Sequence, residues 1–268
     1  MKLIKTLLAS AALVALVPAH AVINVTSPAF TYSESFDSLT TSATAVAWAN
    51  DSTLAGWSLF ISSGAAAPTY LATNGAGSTS SFTSYGATGS GERALGALGS
   101  GGAYYGSPAS GATAGWIAVA FTNSSGNALN SFTVGFDGEQ WRNGGNASTA
   151  AQTMTLQYGY GATFGTVGTW NTPGGTFNWT SLVNTATAGA VDGNGVGKVA
   201  GVGGTVSTNW AAGDTLWVRW IELNDTGNDH GLAIDNLSFS VTAVPEPSSY
   251  ALFAAGIAAL GFVARRRR

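Results

Sequence analysis

The chain has 268 residues and a formal net charge of −3, with 9% charged and 45% hydrophobic residues, 37 glycines and 9 tryptophans. Soluble domains usually carry about 25% charged residues, and disorder couples low hydrophobicity to high charge, so this composition implies a folded, aromatic, turn-rich protein. There is no cysteine, which excludes disulfides and thiolate metal sites.

In chain order, Met1–Ala21 reads as a secretory signal peptide for the Sec machinery. Lys2 and Lys5 form the basic n-region, Leu7–Val17 the apolar h-region, and Ala19-His20-Ala21 the small-x-small cleavage site. The apolar run is short for a membrane span, so cleavage is expected rather than anchoring.

Residues 22–243 read as one domain. Its only bases are Arg93, Arg142, Lys198 and Arg219, set against every acid of the chain except Glu246. Nucleic-acid binding needs Lys and Arg to neutralise phosphates, so no nucleic-acid partner is expected. Divalent cations and neutral glycans fit this balance better.

The apolar runs are short and alternate. Ile117–Phe121 is a compact strand. Ser131–Phe136 places Phe132, Val134 and Phe136 on one face, and Met154–Tyr158 repeats the period of two. Leu216–Ile221 is bulky on both faces. Leu232–Val241 forms a long last strand, with Leu237, Phe239 and Val241 on one face. Between them, Gly, Asn, Ser and Pro clusters read as turns. Thr73–Gly91 is poor in apolar residues and is read as loop, as are the glycine-rich stretches Gly99–Gly115 and Gly189–Gly204. The expected fold is all-β: a two-sheet antiparallel sandwich of jelly-roll type. It is flanked by the signal peptide and by a short hydrophobic helix at the C-terminus.

That last segment, 244–268, has three parts. Val244-Pro245-Glu246-Pro247 is a stiff, extended break, Tyr250–Ala264 is apolar, and Arg265, Arg266, Arg267 and Arg268 close the chain. Such arginines stop an apolar helix with its end in the cytoplasm. In this order the parts resemble the PEP-CTERM sorting domain. The resemblance implies export in a Gram-negative bacterium, transient anchoring in the inner membrane, and processing near Pro245-Glu246-Pro247 by an exosortase, a membrane protease-transpeptidase of exopolysaccharide producers. A plain tail anchor is the alternative. The blocks Gly89–Gly96, Phe136–Arg142 and Gly227–Leu237 resemble a β-sandwich domain that recurs in PEP-CTERM proteins, for which no catalytic residues are assigned.

Four constellations stand out in the domain. The last strand is similar to the closing strand of carbohydrate-binding jelly rolls, in which a structural calcium often bridges acids near the first and last strands. That resemblance implies Glu34, Asp37 and Asp235 as calcium ligands. The plainer reading gives Asp235 and Asn236 turn hydrogen bonds. Asn224–Gly231 is dense in oxygen ligands but lacks the terminal Glu of an EF-hand, so a hydrogen-bonded turn is favoured over a metal loop. Glu139, Trp141 and Arg142 combine a flat ring with polar neighbours, as polysaccharide recognition requires; equally, they are paired structural charges. Finally, Asp137 and Glu139 lie two apart on one strand face, and His230 is the only histidine left after signal cleavage. No Gly-x-Ser-x-Gly elbow accompanies them. The expectation is a non-catalytic surface or matrix protein that binds glycan, with a purely structural protein and then a glycan hydrolase as alternatives.

Overall fold

The computed structural model describes residues 23–145 and 150–241, together with Phe253, 255–257 and Arg265 in the tail. The signal peptide, Val244–Pro247 and Arg266–Arg268 lie outside the described residues.

Among the described residues, fifteen strands follow one another with three single turns of 3-10 helix. In chain order they are β1 (Ile23–Val25), β2 (Thr31–Glu34), β3 (Val46–Ala47), β4 (Trp57–Ile61), β5 (Thr69–Thr73), β6 (Ser81–Tyr85), β7 (Ala94–Leu98) and β8 (Thr113–Asn123). Then come β9 (Leu129–Asn143), β10 (Thr153–Tyr160), β11 (Trp179–Thr180), β12 (Gly189–Ala190), β13 (Lys198–Trp210), β14 (Thr215–Leu223) and β15 (Gly231–Val241).

They form two sheets. The smaller has the order β1-β8-β14-β10-β11, with β4 also on β8. The larger runs β12-β9-β15-β7-β6-β5-β3, with β13 on β9 and β2 on β15. The long strands carry short ones end to end: one edge of β15 holds β7 at Gly231–Ile234 and β2 at Leu237–Ser240. Two pairings are parallel, β1 with β8 and β5 with β6, which corrects the expectation of a wholly antiparallel sandwich.

Alternation along the strands builds the core. Phe132, Val134 and Phe136 of β9 point inward, as do Leu216, Val218 and Trp220 of β14. The sheets meet through aromatic pairs. Phe121 of β8 stacks on Phe239 of β15 at 3.8 Å, and Trp220 of β14 meets Phe136 of β9 edge-on at 5.4 Å. Such contacts contribute about 0.5–1.5 kcal/mol beyond the area they bury. A glycine makes room for another core ring, since a methyl on Gly138 would fall 2.3 Å from the Trp179 ring.

Where other proteins place surface ion pairs, this one places hydroxyl pairs. Thr122–Thr215, Thr133–Thr205 and Thr153–Thr180 stand directly opposite each other across the ladders and bond at 2.7–2.8 Å. Cross-strand Thr pairs stabilise a sheet by about 0.2–1 kcal/mol each.

Three stretches read as loop contain strands. The segment 73–91 holds β6, every residue of which is buried. The segments 99–115 and 189–204 hold the start of β8 and of β13, the latter threaded with Gly201, Gly203 and Gly204.

Phe121→Ala should lower stability by about 3–5 kcal/mol in urea denaturation, because Phe121 is wholly buried between Phe239 and Tyr32. Leu182→Ala, at a 55% exposed position, should stay within about 0.5 kcal/mol of the parent.

Candidate functional site

The outward face of the larger sheet carries the acids. Asp137, Glu139 and Trp141 alternate outward on β9, and Asp137 pairs with Asp235 of β15. On β15 the inward residues are Leu232 and Ile234, then Leu237, Phe239 and Val241. The parity changes at Asp235-Asn236, where the β9 register slips and Asn236 takes φ +49°. That is a β-bulge. It leaves Asp235 outward while Leu237, Phe239 and Val241 beyond it pack inward.

The bulge separates Asp235 from Glu34 of the expected Glu34–Asp37–Asp235 set, whereas Asp37 stays close enough to reinforce burial in raising the Asp235 pKa. Glu34 stands opposite the core residue Leu237 and is used locally, accepting from the Phe36 N–H at 2.8 Å and the Tyr32 hydroxyl at 3.1 Å. Asp37 is exposed and accepts from the Arg93 N–H at 3.0 Å. Asp235 instead meets two other carboxylates. One oxygen each of Glu92, Glu139 and Asp235 lies within 4.8 Å of the others. Glu92 reaches the group from the loop before β7, the neighbour of β15. The sequence offered Glu92 only as an ion-pair partner for the Glu139–Arg142 group, not as a neighbour of Asp235.

Lys198 is the nearest base. Its ammonium lies 2.8 Å from Asp137 Oδ2 and 3.5 Å from Glu139 Oε1. Burial works to raise the Asp137 pKa, but the Lys198 bond, the Gly201 N–H and the Asn236 amide outweigh it and hold it below the ordinary value. Glu139 goes the other way. Burial, with Asp235 and Glu92 nearby, pushes it up to about 7 against the Trp141 hydrogen bond. Burial pushes Asp235 to about 7 as well.

Trp141 is 2% exposed. Its ring stacks on Tyr85 at 6.2 Å, its Nε1–H donates to Glu139 Oε2 at 2.9 Å, and Gly193 packs directly on the indole. It therefore offers no face to a sugar, which corrects the expectation of an open platform. The signal for burial was its position on the same strand face as Glu139, beneath the Asp192–Gly195 turn. Arg142 forms no ion pair with Glu139. Its Nη1 donates to the carbonyls of Gly75 and Ala76 at 3.0 and 2.8 Å.

Arg142 does reach a second feature, an open polar cleft of about 380 Å³. Ser78, Ser80, Ser100, Asn224, Asn228 and Asp229 share its wall. The Asn224–Gly231 loop closes one side as a self-bonded turn: Asp225 N–H donates to Asp229 Oδ1 at 2.6 Å, and Asn224 Nδ2 donates to Pro108 O at 3.0 Å. Under the cleft, Glu222 is 4% exposed and accepts from the Gly99 N–H at 2.8 Å.

His230 is fully buried, with Nδ1 2.7 Å from Gln140 Nε2, and burial lowers its pKa. On the outer face of the smaller sheet, Arg219 lies over Trp170 at 3.7 Å and Trp116 at 5.1 Å. It donates to Gln157 Oε1, and no carboxylate pairs with it among the described residues. Burial pushes it down to about 10. This aromatic cage sits under the 161–178 connection, and nothing in the sequence pattern pointed to it.

Burial, followed by repulsion from Asp229, holds Glu222 well above its ordinary value, and burial pushes Asp229 up to about 7. Both groups bind protons more tightly folded than unfolded, so each increasingly opposes the fold as pH rises above the ordinary carboxylate range, for Asp229 up to about 7. The half-buried acids Asp225 and Asp229 and the phenols Tyr85 and Tyr105 surround Glu222. Glu222→Gln keeps the acceptor for Gly99, so it should raise stability at pH 7 and flatten the pH dependence between pH 4 and 7 in urea melts. An unchanged slope would refute this assignment.

Residues 243–268 match the PEP-CTERM protein-sorting motif. Within it, the described positions Phe253, 255–257 and Arg265 are helical, and Phe253 and Ile257 are exposed. Among the described residues no helix is long and apolar enough to cross a membrane. No curated protein matches the chain. By its last 26 residues, the chain carries the PEP-CTERM motif of exported proteins that an exosortase sorts.

Proposed function

We propose that this is a non-catalytic protein of a Gram-negative cell surface or extracellular matrix, cut by an exosortase near Pro245-Glu246-Pro247, whose β-domain holds polysaccharide. The observation that carries the reading is the sorting motif at 243–268. A chain delivered by that route meets exopolysaccharide at the surface.

The polar cleft is the part of the domain that suits a sugar. Hydroxyls, two Asn amides, a carboxyl and a guanidinium converge on a volume of about 380 Å³, the size of a small-ligand site. The hydrolase alternative finds less support. Retaining and inverting glycosidases need two accessible carboxyl groups flanking the bond, whereas Glu139 is sealed and Asp137 is held by Lys198. His230 is sealed as well.

Two measurements test the reading. Mass spectrometry of the exported protein should show a chain that has lost Arg265–Arg268; survival of that terminus would overturn exosortase processing. The full chain should bind the host's own exopolysaccharide, and Ser78→Trp should weaken binding at least about tenfold by filling the cleft. Ser78 is exposed, so the fold should tolerate this substitution. Absence of binding to any polysaccharide would leave a purely structural matrix protein.

A further inference from the structure

The carboxylates on the outer face of the larger sheet are an unusual group. Glu139 is 0% exposed and Asp235 3%. Each keeps one oxygen, Oε1 and Oδ1 respectively, with no hydrogen-bond partner, and Glu92 Oε1 is a third such buried oxygen. Buried polar atoms are nearly always bonded, and each specific exception needs a cause. Three on neighbouring acids share one: a missing positive partner.

Two of the three side chains are already tied down. Glu139 Oε2 accepts from Trp141 Nε1 at 2.9 Å, and Glu92 Oε2 accepts from Asn194 Nδ2 at 2.7 Å. Those two carboxylates are therefore held in place with their second oxygens free. Lys198 does not complete the group, because Asp137 holds its ammonium at 2.8 Å and leaves it 3.5 Å from Glu139. That separation is too long for a strong charge-assisted bond.

We infer that Glu92, Glu139 and Asp235 form a calcium site that clamps the loop before β7 onto β9 and β15. The donor set is all oxygen, which selects hard cations over zinc or copper. The oxygens fit in a shell no wider than 4.8 Å, the span of two opposed ligands each about 2.4 Å from calcium. Magnesium usually keeps several waters and is held by only one or two carboxylates, so a buried three-carboxylate pocket suits it less well. Glu92 is only half-buried, and its bond to Asn194 lies at the surface. That side is the entry. Gln140 and the Asp192–Gly197 turn close the remainder, through the Gln140 N–H to Gly197 O bond at 2.9 Å.

The test uses the full chain. Calcium at about a hundred times its Kd should raise Tm by about 5–10 °C over the same protein in EDTA, and magnesium at equal concentration should raise it less. Terbium should emit on excitation of tryptophan, because Trp141 is bonded to a ligand, and calcium should quench that emission by displacement. Asp235→Asn should abolish both responses. Should it fail to fold, Glu92→Gln, at the half-buried position, should weaken calcium binding at least about tenfold. Glu222→Gln, outside the group, should keep both responses. Equal melting temperatures in calcium and EDTA, or terbium emission that survives Asp235→Asn and Glu92→Gln, would overturn the assignment.

Discussion

The ladder between β9 and β15 is the contact on which the rest of the structure depends. It runs from Arg142–Gly231 to Phe132–Val241, and its two faces do opposite things. Inward, Phe132, Phe136, Ile234 and Phe239 supply the core that the smaller sheet covers. Outward, the same ladder displays Asp137, Glu139 and Asp235 within reach of one another. A side-chain period of two makes this division unavoidable. An acid on either of these strands must face outward or break the core, so Asp137, Glu139 and Asp235 share one face.

The core explains how a chain with neither disulfides nor many ion pairs holds together. Trp57, Trp220 and Phe136 form one continuous set of rings, and Phe121, Phe239 and Phe132 another. Both sets join the two sheets. On the outside, threonine pairs and self-bonded turns replace salt bridges, and they do not weaken with ionic strength as surface ion pairs do. A protein exported beyond the cell's control of salt gains from that exchange.

Much of the fold was legible because alternation is a strong signal. Ser131–Phe136, Met154–Tyr158 and Leu216–Ile221 all lie inside strands of the structure. What escaped was β6, Ser-Phe-Thr-Ser-Tyr, which looks like loop because its hydroxyls are small and polar. Both faces are nonetheless buried, with Phe82 in the main core and Tyr85 against Trp141. β13 was hidden by its glycines, one of which, Gly201, sits in the bulge between Val199 and Val202. The site was half legible. Asp235 and Glu139 were both singled out, yet assigned to different constellations. The parity change from Leu232 and Ile234 to Leu237 and Phe239 was visible in the sequence. Read as a bulge, it turns Asp235 away from Glu34 and toward Glu139. Glu92 could not be found this way, since it comes from a loop and no strand period applies to it.

The buried acids fall into two groups with different logic. Around Glu222, the carboxyl accepts from the Gly99 N–H and lies among Asp225 and Asp229 with no base paired to it. A proton suffices there, and burial holds one. Around Glu139, one oxygen each of Glu92, Glu139 and Asp235 lies within 4.8 Å of the others, and Trp141 and Asn194 bond the other oxygen of Glu139 and of Glu92. Protons could neutralise this second group as well, but Glu92, Glu139 and Asp235 each keep a buried oxygen with no hydrogen-bond partner, and among the described residues neither Glu222 nor Asp229 does. Leaving three such oxygens together is costly unless something positive binds them. That difference, rather than the count of acids, distinguishes a group built around a cation from one that is merely sealed.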